Sequence, residues 1–201
     1  MRFYRTRRIF KVFLPNCIWR VPFSEKIYLT FDDGPTPEMT PWVLETLGEK
    51  GVKGTFFCVG ENVERYPDLY TQVLAEGHAV GNHTHTHMSA WESRERTWFD
   101  DFDRAEQLID SRLMRPPYGK IYPWHVHKLR KRGYEVIMWS FITYDFDPES
   151  KPEVALRKMQ KLKGGHIVVM HDQPKAEKNL KVILPRLLDM FPAERFGVIG
   201  R

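Results

Sequence analysis

Cysteine is nearly absent from this 201-residue chain. Cys17 and Cys58 are the whole complement, which excludes a disulfide framework and a thiolate zinc site. Cys58 lies in the apolar run Thr55-Phe-Phe-Cys-Val59 and is expected to be a buried, unreactive thiol. No run of eighteen apolar residues occurs, so no membrane-spanning helix is expected. Linkers and low-complexity segments are missing as well, which leaves a single domain as the expectation for this length.

Charge is not missing. Arg2, Arg5, Arg7, Arg8 and Lys11 alternate with Phe3, Ile9, Phe10, Val12 and Phe13. This stretch has the positive charge of an export signal without its long apolar core or small-residue cleavage site. Residues 1–26 are therefore read as a basic segment packed on, or extending from, a domain over 27–201. Weak attachment to an anionic membrane surface is within its means, and the expected location is the cytoplasm or the cytoplasmic membrane surface. The net charge of +5 favours acidic partners. The basic residues nevertheless form no helix stripe with interleaved stacking aromatics, which argues against nucleic acid. The sequence carries no signature of oligomeric state.

Apolar runs of strand character recur at Ile27 to Asp32, Thr55 to Val59, His78 to Asn82, Tyr134 to Ser140, His166 to His171 and Phe196 to Ile199. Helical patterns lie between them. Thr40-Pro41 reads as an N-cap followed by proline at the first helical position, and Pro67 opens a helix that closes at Gly77. Trp91, Trp98, Phe102, Ala105, Leu108 and Ile109 trace the inner face of a long amphipathic helix. Further helices are expected over Pro123 to Arg132, Pro152 to Lys161 and Ala176 to Met190, the last kinked or restarted at Pro185. Alternating strands and helices predict an α/β fold with mostly parallel strands. Asp32-Asp33-Gly34, Asn82-His83, Ser140 and His171-Asp172 all fall just past predicted strand ends. A (β/α) barrel collects its chemistry there, so the barrel is preferred to an open sheet.

Five segments carry chemistry. Thr30-Phe-Asp32-Asp33-Gly-Pro35 closes an apolar strand with two adjacent carboxylates, which can divide cation binding from proton transfer. Asn82-His83-Thr-His85-Thr-His87 packs three imidazoles into five residues, a donor set suited to zinc. On a strand all three would share a face; on a helical turn His83 and His87 would converge and His85 would point away. The strand reading suits metallo-β-lactamase-type hydrolases, but the aspartate and histidine that should directly follow the histidine pair are not there. Arg115-Pro-Pro-Tyr118-Gly119 is a stiff loop that would hold a guanidinium and the Tyr118 N–H in fixed positions. Trp139-Ser-Phe-Ile-Thr-Tyr-Asp145-Phe146 is the fourth segment. In the fifth, Val168-Val-Met-His171-Asp172, a histidine ends an apolar strand, where a partly desolvated general acid is expected.

Taken together and in this order, the segments resemble the polysaccharide deacetylases, the NodB-like domain of carbohydrate esterase family four. The resemblance runs from about Ile27 to the C-terminus, and Thr30 to Pro35, Asn82 to His87 and Arg115 to Gly119 carry most of it. It implies a distorted, single-domain (β/α) barrel of seven strands. It also implies a divalent cation on Asp33, His83 and His87, with zinc first and cobalt or nickel as alternatives. Asp32 would be the general base, Arg115 would keep it ionised, and the Tyr118 N–H would help hold the oxyanion. His171 would be the general acid, supported by Asp145. The implied reaction is hydrolysis of an acetyl group from an N-acetylated, or O-acetylated, carbohydrate by cation-activated water.

Two positions depart from the family pattern. Phe146 stands where tryptophan is usual, and Val169 where leucine is usual, which predicts a reshaped acetyl pocket with the chemistry kept. The alternatives are a noncatalytic carbohydrate-binding protein on the same fold and a metallohydrolase of a small amide.

Overall fold

Alternation along one strand explains most of the architecture. In the computed structural model, which describes residues 2–200, the helix α1 (Arg8–Phe13) precedes the strand β1 (Ile27–Asp32). All six residues of β1 are buried, as in a strand covered on both faces. Ile27, Leu29 and Phe31 point into the main apolar core, whereas Tyr28 packs into a separate inner cluster with Phe57, Ile137 and Ile167. Thr30 and Asp32, in step with Tyr28, meet Arg115.

The chain continues through α2 (Thr40–Glu49), β2 (Thr55–Cys58), α3 (Gly60–Arg65), α4 (Pro67–Ala75), β3 (Ala79–Asn82), α5 (Glu95–Glu106) and β4 (Leu113–Met114). It ends with α6 (Pro123–Lys131), β5 (Glu135–Val136), β6 (Phe141–Ile142), α7 (Pro152–Met159), β7 (Ile167–His171), α8 (Glu177–Met190) and β8 (Phe196–Gly197). Seven parallel strands in the order β5-β4-β3-β2-β1-β7-β6 curl into a half-barrel, and β8 pairs with the first two residues of β1. The expected α/β barrel is therefore present in distorted form, open between β5 and β6. No helix among the described residues is long and apolar enough to cross a membrane.

The opening has a local cause. The strand expected over Tyr134 to Ser140 ends at Val136, because the carbonyls of Ile137 and Met138 turn to the Arg115 guanidinium. Residues of the basic N-terminal segment supply backbone partners instead: Met138 donates to Ile18, Thr6 to Ser140, and Ile142 to Tyr4. Ser140 accordingly lies at the start of β6, where its hydroxyl meets His166 at 2.8 Å and plays no part at the strand ends.

Several helix expectations need correction. Thr40 does not cap α2; its hydroxyl accepts the Thr36 N–H at 2.7 Å and donates to Asp172. The amphipathic helix starts at Glu95, leaving Trp91 outside it and exposed, and ends at Glu106. The last helix runs unbroken through Pro185. Lys181, whose carbonyl loses its donor to that proline, is exposed, while Leu180, Ile183, Leu184 and Leu187 anchor the opposite face.

Candidate active site

Register brings the pieces together. Parallel pairing sets Asp32 of β1 opposite His171 of β7, and Thr30 opposite Val169. Asp32 Oδ1 accepts a hydrogen bond from Arg115 Nη1 at 2.6 Å, and the same nitrogen donates to Thr30 Oγ1 at 2.7 Å. Arg115 Nε reaches the Ile137 carbonyl at 3.1 Å and Nη2 the Met138 carbonyl at 3.2 Å. Its guanidinium carbon lies 4.1 Å from the centroid of the Phe57 ring. A fully buried guanidinium is tolerable only when its charge is paired and its N–H groups are satisfied, and here both conditions hold.

One residue further on, Asp33 enters a left-handed backbone conformation with φ 79°. Its Oδ1 then lies 3.3 Å from His83 Nε2 and 3.0 Å from His87 Nε2. These are the edge lengths of a small coordination polyhedron: tetrahedral zinc with bonds of about 2.0–2.1 Å places neighbouring donors about 3.3 Å apart. His83 Nδ1 donates to the Arg115 carbonyl at 2.7 Å, which leaves the Nε2 lone pair facing Asp33. His87 Nδ1 lies 3.2 Å from the Tyr118 hydroxyl, so its Nε2 is turned the same way. Burial raises the Asp33 pKa, but the two imidazoles and the charge of His171 prevail and hold it well below the usual carboxylate range. Asp33, His83 and His87 form the one group of three such donors with metal-binding proximity among the described residues.

The histidine segment is neither strand nor helix. It is a loop beyond β3, with Thr84 at φ 61° and His87 at φ 58°. Asp101 of α5 accepts the His85 and Thr86 N–H groups at 2.9 and 3.1 Å and the Thr86 hydroxyl at 2.9 Å. Asn82 and Thr84 side chains accept two further backbone N–H groups of the loop. His85 turns away from the donors, is buried against α3, and lies 3.7 Å from Glu64.

On the other side of Asp32, His171 Nδ1 meets Asp145 Oδ1 at 2.8 Å, and the His171 backbone N–H donates to Asp145 Oδ2 at 2.8 Å. Burial lowers the His171 pKa, yet the charges of Asp145, Asp33 and Asp32 outweigh it and push it up to about 9. Asp32, His171 and the donor triad line one pocket of about 220 Å³, with Tyr118, Trp139, Ile142, Phe146, Val169 and Lys175, while Arg115 and Asp145 are buried behind its wall. Both residues that depart from the family pattern, Phe146 and Val169, are thus in its wall. The Phe146 ring stands edge-on to His171 at 4.8 Å.

All eight residues singled out from the sequence converge here. Not foreseen were Thr30 as a partner of Arg115, Asp101 as the anchor of the histidine loop, and Gln173 and Lys175 beside Asp33 Oδ2. Backbone strain marks the same place. Of the six described non-glycine residues with positive φ, five belong to these loops: Asp33, Thr84, His87, Tyr118 and Tyr144. Each such conformation costs roughly 1–3 kcal/mol, and such costs cluster where geometry serves chemistry.

A β/α half-barrel has at its strand ends two histidines and a carboxylate that could hold a cation, flanked by an Asp–Arg and an Asp–His pair, an arrangement with the parts of a hydrolase site. The sequence profile described as "Polysaccharide deacetylase" matches residues 22–137, and the chain belongs to that family. Two peptidoglycan-N-acetylglucosamine deacetylases of Bacillus cereus are similar to it. One is 35% identical over 77% of this chain and 76% of its own length, the other 30% identical over 76% and 58%. Peptidoglycan deacetylase PdaC from Bacillus subtilis superposes with a TM-score of 0.71 at 27% identity, covering 90% of both chains. A family 4 pseudoenzyme from Bacillus anthracis superposes at 0.74 with 26% identity, over 92% of this chain and 68% of that one.

Proposed function

We propose that this protein hydrolyses the acetamide of an N-acetylated sugar unit and releases acetate, with a divalent cation, zinc by its donor set, on Asp33, His83 and His87. The observation that carries the proposal is one small pocket lined by that donor triad together with Asp32 and His171, each held by a buried partner behind the wall, Arg115 and Asp145. N-acetylglucosamine is common to the names of the Bacillus relatives, and it is the sugar we assign.

When bound, the cation supplies Lewis-acid polarisation of the acetyl carbonyl and makes water more acidic. The chain's own residues do the rest. Asp32 takes the proton of the attacking water, and its hydrogen bond from Arg115 Nη1 at 2.6 Å fixes the carboxylate for that role. The Tyr118 N–H, fixed by the Pro116-Pro117 turn, donates to the carbonyl oxygen as charge builds there, a contribution of about 2.7–4 kcal/mol for such donors. Asp145 favours the charged form of His171 and holds its Nδ1–H, so Nε2–H is the proton given to the departing amine. Phe146 and Val169 shape the apolar wall beside the acetyl methyl group.

A noncatalytic role on the same fold finds no support at these positions, where both pairs and the donor triad are intact. The test is acetate release from N-acetylglucosamine oligomers by purified protein, before chelation, after it, and after zinc is restored. Release that follows zinc is the expected result. Silence with one zinc bound per chain would overturn the assignment.

A further inference from the structure

A second cavity opens beside the catalytic pocket, and its chemistry is different. It encloses about 650 Å³, three times the volume of the catalytic pocket, and shares Tyr118, Trp139 and Ile142 with it. The two spaces are therefore neighbours, with these three side chains between them. Phe3, Phe10 and Phe13 from the N-terminal segment line one side, and Trp91 and Ile121 the other. No residue of α1 is buried; Phe10 is 53% and Phe13 67% exposed, large apolar groups left facing this groove. Such an exposed apolar patch marks a binding surface.

The same groove is lined by Arg5 and Arg7, neither of which has a carboxylate partner among the described residues. Arg7 instead lies over the Phe3 ring, 5.1 Å from its centroid. An occupant that satisfies this groove is apolar along its length and anionic at one point. Because the groove borders the proposed acetyl site across Tyr118, Trp139 and Ile142, one molecule carrying an acetylated sugar and an apolar chain can occupy both.

We propose that the groove holds the hydrocarbon tail of a lipid-linked substrate, an N-acetylated sugar joined through phosphate to a long-chain alcohol, with the phosphate on Arg5 and Arg7. The proposal rests on the deacetylase reading for the acetyl end and on the groove for the lipid end. The basic, aromatic N-terminal segment then serves as one wall of the tail site. Trp139 and Tyr118, at the junction, separate the sugar from the chain.

The test measures the two ends separately. Octyl and methyl esters of glucosamine 1-phosphate, already deacetylated and so not consumed, are titrated calorimetrically into the zinc-loaded protein below micellar concentration. The octyl ester is expected to bind roughly tenfold or more tightly, from burial of several methylene groups. The substitution Phe10→Ser is expected to bring the two affinities together, whereas Val12→Ser, on α1 but outside the groove, keeps the preference. Equal affinities in the unaltered protein would overturn the proposal, as would a preference that survives Phe10→Ser or is lost equally in Val12→Ser. Acetate release from the N-acetylated esters then reports on the other reading: tight octyl binding without acetate removes the deacetylase and keeps the groove, and acetate with equal affinities does the reverse.

Discussion

Asp145 grips His171 twice, with Oδ1 on the ring Nδ1 and Oδ2 on the backbone N–H, each at 2.8 Å. One buried carboxylate thus fixes the tautomer, the ring orientation and the charge of the histidine. With burial opposing, this ion pair and the nearby Asp33 and Asp32 raise the His171 pKa to about 9 in the metal-free protein. A histidine pKa raised by folding contributes stability that is complete below about pH 6.5 and lost as pH rises through 9. Asp145→Asn should lower the imidazole pKa measured by NMR titration of the metal-free protein, and should reduce turnover about 10²-fold or more at pH 8. An unchanged titration would show that Asp145 does not set the charge of His171.

Arg115 has no polar neighbour to spare. Arg115→Met leaves the Asp32 carboxylate buried without its cation, a change that should cost about 3–5 kcal/mol in denaturant unfolding. Arg115→Lys should recover only part of this, because a single ammonium cannot span Thr30, Asp32 and the Ile137 and Met138 carbonyls. Equal stability of the methionine variant and the parent would contradict the pairing.

The histidine loop makes a prediction that separates neighbours. His83→Ala and His87→Ala should each lose bound zinc and acetate release together. His85→Ala should keep zinc, with some loss of stability because the ring is buried. Metal analysis of the three purified variants is the check, and loss of zinc from His85→Ala alone would redraw the site.

Asp172 is buried beside Gly34, where an added Cβ would fall 2.0 Å from its Oδ2. Burial first, then the charges of Asp33 and Asp32, raise its pKa to about 8 against the opposing Thr40 hydrogen bond. A carboxyl whose pKa is raised by folding binds a proton that the unfolded chain has released, so stability falls as pH rises from about 4 to about 8. In the metal-free protein Asp172→Asn should therefore gain thermal stability relative to the parent as pH rises across that interval. A constant difference in Tm would show that the carboxyl is ionised throughout.

Much of this site was legible in the sequence because its parts sit where long strands end. Asp32 and His171 close six- and five-residue strands with clear apolar character, and the donor loop follows β3 directly. What could not be read depends on partners far along the chain. The strands β4 and β6 have two residues each, too few for any pattern, and parallel pairing with neighbours holds them. β6 nevertheless carries Asp145 to His171. The break after Val136 comes from the guanidinium of Arg115, 22 and 23 residues away from the carbonyls it collects. The histidine loop matched neither periodicity because side-chain acceptors, Asp101 above all, replace a backbone ladder. The Thr40 hydroxyl read as a helix cap for a similar reason: its partner, Asp172, lies 132 residues on.

The central claim is that a cation on Asp33, His83 and His87 and a base at Asp32 act together on an acetamide. Asp32→Asn tests it most directly, with zinc content and acetate release from N-acetylglucosamine oligomers measured on the same sample as the parent. The account predicts one zinc per chain in both proteins, acetate from the parent, and release slowed about 10²–10⁴-fold in the variant. Undiminished release by the zinc-loaded variant would contradict it.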